Sequence, residues 1–351
     1  MSGRTLKSAQ DLAAAGLVAA DAVAALTPLA KAYAVAITPA MAELIDRADP
    51  ADPIARQFVP DLAELNVAPE ERVDPIGDNA HRPVAGIVHR YPDRVLLALT
   101  HSCPVYCRFC FRREFVGPGG TKQLDGAALD AALGYIAANE AIWEVILTGG
   151  DPLSLSPDRL RATMQRLGDI GHVKIVRVHT RVPAVWPARI DAAMVAALKA
   201  SGKAVFVALH ANHPRELTPQ ARAACARLID GGVVMVSQSV LLRGVNDDVA
   251  TLEALMRAFA ETRIKPYYLH HGDLARGTSH LRVPIAEGQA LMRALAARVS
   301  GLCLPAYMLD IPGGYGKVPV GPGYLEEQGA GRYRVRDPAG RAHEYPPPAR
   351  D

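Results

Sequence analysis

The chain has 351 residues, half of them hydrophobic and 21% charged, with a formal net charge of +3. That balance excludes a disordered polyelectrolyte and supplies no basic excess for a nucleic-acid surface. Asp11, Asp21, Lys31 and Pro28 interrupt the alanine-rich start, so it reads neither as a membrane span nor as a secretory leader.

From Leu6 to Leu44 apolar residues recur at helical spacing, and Pro53, Pro60, Pro69 and Pro75 then punctuate a looser stretch. Residues 1–80 therefore read as an N-terminal helical cap. From residue 95 a rhythm of short β-rich runs and longer helical stretches sets in: 95–100, 144–149, 173–179, 204–210, 233–240 and 265–270. Strands alternating with helices imply right-handed βαβ units and a parallel sheet, and their continuous apolar character suits burial on both faces. Six units rather than eight predict an open, partial (β/α)6 TIM-like barrel over 81–300, with a doubly wound sheet as the alternative. Candidate chemical residues follow the strand ends, which is the active edge of such a barrel. Residues 301–351 form a short C-terminal segment, rich in glycine and proline, with a hairpin around "DPAG" between 332 and 345.

The densest signal is "HSCPVYCRFCFRR", residues 101–113. Cys103, Cys107 and Cys110 read C-x3-C-x2-C, and only Cys225 and Cys303 lie elsewhere. An odd, clustered set suits a reducing, cytoplasmic setting better than a disulfide framework. Structural zinc ordinarily takes four protein ligands. Three closely spaced cysteines suit an iron–sulfur cluster with one iron left open, zinc with a distant histidine being the alternative.

This triad, after the first strand of a six-unit βα pattern, resembles the radical S-adenosylmethionine superfamily. The segments "HRYPDRVLLALTHSCPVYCRFCFRR", "LTGGDPL", "SQSVLLRGVND", "YYLHHGDLARGTSHLRVPI" and "DIPGGYGKVPV" narrow the resemblance to lysine 2,3-aminomutase. It runs from about residue 50 to about 325.

The resemblance implies a [4Fe–4S] cluster on Cys103, Cys107 and Cys110, S-adenosyl-L-methionine and pyridoxal 5′-phosphate. It implies migration of the L-lysine amino group from C2 to C3, giving β-lysine. Gly149, Gly150, Asp151, His210 and Gln238 match S-adenosylmethionine positions, and Arg90 and Arg94 match arginines at the pyridoxal phosphate end. Lys317 matches the Schiff-base lysine. A P-loop reading of its glycine segment fails, because Ile311 and Val318 occupy positions that motif reserves. Arg112 matches the arginine for the substrate carboxylate, Arg113 beside it reading as a surface charge. Asp273 and Asp310 match the carboxylates that hold lysine's ε-ammonium. An electron donor such as flavodoxin or ferredoxin, a homo-oligomer, and no nucleic-acid or membrane partner are expected. The alternatives are the short branch serving elongation factor P modification, an aminomutase for another amino acid, and a non-catalytic zinc-binding protein. Histidines 270, 271 and 280 are read as loop residues rather than metal ligands.

Overall fold

A computed structural model describes residues 3–117, 123–329 and 331–347. Its larger sheet has nine strands in chain order: β1 (Ile87–Tyr91), β2 (Arg94–Thr100), β3 (Glu144–Gly149), β4 (Ile175–Thr180), β5 (Ala204–His210), β6 (Val234–Val240), β7 (Lys265–His270), β8 (Ala306–Ile311) and β9 (Gly316–Pro319). Strands β2 to β8 are parallel, while β1 and β9 pair antiparallel at the two edges. All six anticipated strands are present. The strand order never reverses, which rules out the doubly wound alternative.

The N-terminal segment carries four short helices: α1 (Ala9–Ala14), α2 (Ala22–Ala32), α3 (Pro39–Leu44) and α4 (Ala55–Phe58). The six crossovers carry α5 (Gly126–Ala138), α6 (Pro157–Gly168), α7 (Val182–Val185), α8 (Ala192–Lys199), α9 (Pro219–Asp230), α10 (Val249–Glu261) and α11 (Ile285–Ala296). Local chemistry starts them. Asp125, Ser156, Asp191, Thr218 and Asp248 each accept a backbone N–H in the first turn of their helix, and proline opens α6 and α9.

Alternation along the strands sorts two environments. Val95, Leu97 and Leu99 of β2, Val176 and Val178 of β4, and Val205, Val207 and Leu209 of β5 join one continuous core with the helices. Leu6, Val35, Ile37 and Met41 of the N-terminal segment belong to that same core. The alternate residues, including Arg177, His179, His210, Gln238 and His270, are half-buried and polar. A barrel interior lined this way is built to hold polar groups.

Two expectations need correction. The chain beyond 300 is less irregular than its glycine and proline content suggests, because β8 adds a seventh parallel strand and β9 folds back on it. The hairpin at 332–345 is real, β11 (Arg332–Arg336) with β12 (Ala342–Tyr345), but β10 (Leu325–Gly329) joins it as a third strand. No ladder joins β1 to β9, so the sheet is open in its hydrogen bonding. Its edges nevertheless meet, since the Lys317 backbone N–H donates to Tyr91 Oη over 2.7 Å.

Candidate active site

The cysteine loop follows β2 and is gripped from outside. Tyr106 N–H donates to Ala36 O, and Arg108 N–H to Gln57 O. The Arg108 guanidinium is 2% exposed and forks onto Glu64, with Nε at 2.9 Å and Nη2 at 2.5 Å. Arg113 meets the same carboxylate, donates to Arg108 O and lies over the Tyr33 ring. It is thus a buried buttress rather than a surface charge. Two guanidiniums on one fully buried carboxylate leave that acid well compensated, and its pKa lies below the usual range.

The three thiols at the centre are free of disulfides. Burial pushes all three upward in pKa, Cys110 to about 11 with Cys107 beside it as the next cause. Crowded, desolvated sulfurs of this kind are suited to a metal centre that shares their charge. Among the described residues no three side chains converge on a single metal ion. A [4Fe–4S] cluster instead takes each cysteine on a different iron, so the donor set fits the cluster. Arg181, outside the motif, donates from Nη1 to Cys107 Sγ at 2.8 Å. Glu216 and Gln57 hold that guanidinium from the far side, between the rings of Phe58 and Phe109.

Gly149 and Gly150 end β3 against the start of this loop. A Cβ on Gly149 would come within 2.3 Å of Thr100 O, and one on Gly150 within 2.3 Å of Ser102 O. Glycine is required there by close approach as much as by the φ of 107° at Gly149. Asp151 is buried and fully engaged, accepting from Leu153 N–H, Thr180 Oγ1 and Arg181 N–H. His210 and Gln238 are direct neighbours across β5 and β6. The His210 ring lies 5.5 Å from that of Phe109, between Cys107 and Cys110 in sequence, and burial lowers its pKa to about 3. These residues therefore share the cysteine side of the barrel.

A second group gathers at the seam. Lys317 and Asp310 are register partners on β9 and β8, and Lys317 Nζ lies 2.5 Å from Asp310 Oδ2. Arg90 Nη1 lies 3.5 Å from Asp310 Oδ1, and Arg90 Nη2 donates to Asp78 Oδ1 at 2.7 Å. Arg112 Nη2 donates to Asp78 Oδ2 at 3.0 Å, and Arg112 Nη1 to Thr148 Oγ1 at 3.1 Å. The charges alternate along the chain Lys317, Asp310, Arg90, Asp78, Arg112. Asp273 stands beside it with a pKa raised to about 7, by burial first and then by the charge of Asp310. His270 Nδ1 is 4.0 Å from Asp310 Oδ2, whereas His271 bonds Tyr307. Arg94 stands apart, paired with Asp93 and stacked 3.7 Å from the Tyr91 ring centroid. A cavity of about 550 Å³ opens beside Arg112, Asp78, Thr148 and His101. An amine on a strand edge, arginines and neighbouring carboxylates suit pyridoxal phosphate carrying an amino acid.

Seven parallel strands in chain order with a cysteine triad after the first define the radical S-adenosylmethionine class, and the sequence model of that superfamily matches residues 97–255. The lysine-2,3-aminomutase model matches 292–351. L-lysine 2,3-aminomutase of Acetoanaerobium sticklandii is 40% identical over 313 residues, 89% of this chain and 75% of that protein. Its counterpart in Clostridium subterminale is 40% identical, covering 91% and 76%. Glutamate 2,3-aminomutase of Clostridioides difficile is 35% identical, covering 86% and 71%. The chain belongs to the lysine 2,3-aminomutase family of radical S-adenosylmethionine enzymes. It is an isomerase, and membership implies a [4Fe–4S] cluster, S-adenosylmethionine and pyridoxal phosphate. The non-catalytic zinc-binding alternative falls with that assignment. Among the described residues no helix is long and apolar enough to cross a membrane.

Proposed function

We propose that the enzyme converts L-lysine to β-lysine by moving the amino group from C2 to C3. The observation that carries this reading is the acid pair. The charge of Asp310 adds to burial in raising the pKa of Asp273, and the Asp273 carboxylate accepts no hydrogen bond among the described residues. A substrate ammonium offsets that charge, whereas a side-chain carboxylate would face two like charges.

When bound, the reduced cluster and S-adenosylmethionine supply hydrogen abstraction, and pyridoxal phosphate activates the migrating amino group. Cys103, Cys107 and Cys110 would hold the cluster. Gly149, Gly150, Asp151, His210 and Gln238 would shape the S-adenosylmethionine site beside it. Lys317 would hold pyridoxal phosphate, with Arg90 and Arg94 toward its phosphate. To serve as that amine, Lys317 must shed a proton and its ion pair with Asp310. Asp310 is thereby released for the substrate's ε-ammonium. Arg112 receives the α-carboxylate at the opposite end.

In this reading residues 1–80 cap the barrel, 81–300 carry the radical chemistry, and 301–351 bring the lysine. A one-electron donor such as flavodoxin or ferredoxin reduces the cluster of a cytoplasmic homo-oligomer. The test is anaerobic incubation with lysine, S-adenosylmethionine, pyridoxal phosphate and a reductant, with glutamate as control. β-Lysine is the expected product. Turnover of glutamate in preference to lysine would refute the substrate assignment.

A further inference from the structure

Asp78 carries no motif and lies in a four-residue 3-10 turn, Asp78–His81, yet it is 3% exposed and sits between two arginines. One carboxylate oxygen accepts from Arg90 and the other from Arg112. Its place is fixed from the backbone. The Asp78 N–H donates to Asp74 Oδ1 at 2.9 Å, and Gly77 before it lies against the backbone of Gly313 and Gly314.

We propose that Asp78 is a positioning residue for substrate recognition, aiming Arg112 at a single α-carboxylate. This rests on the reading that Arg112 receives that carboxylate. A guanidinium has five N–H donors in a rigid plane. In Arg112 one donor is spent on Thr148 and one on Asp78, and the Cζ lies 4.5 Å from the Phe111 ring centroid. Three donors are left for a ligand. Asp78 removes the rotamer freedom that a long arginine otherwise loses on binding. It also offsets part of the positive charge, so the subsite suits one carboxylate rather than any polyanion. Through Arg90 the same carboxylate ties this subsite to Asp310 at the ammonium end, fixing the spacing between the two ends of the substrate.

The test compares lysine with lysinamide, which keeps both amines and lacks the carboxylate. Pyridoxal phosphate-loaded enzyme without S-adenosylmethionine is titrated with each, following the visible absorbance change, so that no turnover is needed. In Asp78→Asn the Kd for lysine should rise about tenfold or more, the scale of a bond to a charged group. The Kd for lysinamide should stay within about twofold. Asp78→Glu, which keeps the charge, should recover part of the preference. Equal weakening of both ligands, or no change for either, would overturn the proposal. So would failure of both variants to load pyridoxal phosphate while iron content is retained, since that marks a structural role. A wild-type enzyme that binds lysinamide as well as lysine would instead refute the role given to Arg112.

Discussion

At the scale of single residues, Asp273 turns a structural observation into a pH dependence. Its pKa of about 7 reflects burial and the adjacent charge of Asp310, against the favourable charges of Lys317 and Arg112 and the unfavourable one of Asp78. Below that pH the acid is neutral and offers the substrate ammonium little; above it the charge is present. The KM for lysine should therefore fall as pH rises through about 7, and Asp273→Asn should flatten the profile; an unchanged profile in the variant would assign the titration elsewhere. The same shift has the opposite sign for stability. The folded empty protein holds a proton that the unfolded chain releases, so stability declines as pH rises from the ordinary aspartate range to about 7. The cysteines are marked by their spacing, whereas Lys317, Arg112, Asp273 and Asp310 are named only through the family resemblance, and the structure gathers these four at the seam. Glu216 and Gln57 were not legible, since Arg181, which follows a strand end, finds Gln57 across 124 positions and neither partner carries a local pattern.

At the scale of elements, the glycine turn before Lys317 is a packed joint. Gly313, Gly314 and Gly316 all have φ near 90°, Gly314 lies against the His81 ring, and Gly316 against the Tyr91 hydroxyl. A Cβ on Gly77 would come within 2.4 Å of Gly313 C and Gly314 N. Gly77→Ala should therefore cost more than the roughly 1–2 kcal/mol of forcing an L-residue into this conformation. Gly202→Ala is the control, with φ of 64° and open space around it. Thermal denaturation should show a larger loss of Tm for Gly77→Ala, and weaker pyridoxal phosphate binding in that variant alone. Equal losses would mean that the joint yields. The six parallel strands were readable from apolar runs of strand length. Strands β1, β8 and β9 were not, because one runs into "HRYPDR" and ends at a two-residue turn and the others flank a glycine-rich stretch. Tertiary pairing, rather than local pattern, makes them strands.

At the scale of the whole molecule, β10 to β12 form a sheet that shares no strand with the barrel, and most of its residues are exposed. A chain ending at Gly323 retains Val320, whose N–H donates to Tyr307 O and whose carbonyl accepts from Gln289. That truncated protein should bind iron as the full chain does and melt within a few degrees of it; loss of iron would show that the small sheet supports the barrel. The seam between the sheet edges has a further consequence, for the order in which the enzyme comes into being. Tyr91 and Lys317 are 226 positions apart, and synthesis proceeds from the N-terminus. The sulfur ligands and the strands that flank them leave the ribosome long before the amine does. A nascent chain thus completes the cysteine loop early, while the lysine proposed to hold pyridoxal phosphate waits for the last strand of the barrel. In the proposed role of Lys317, the cofactor is retained only by a molecule whose sheet edges have already met.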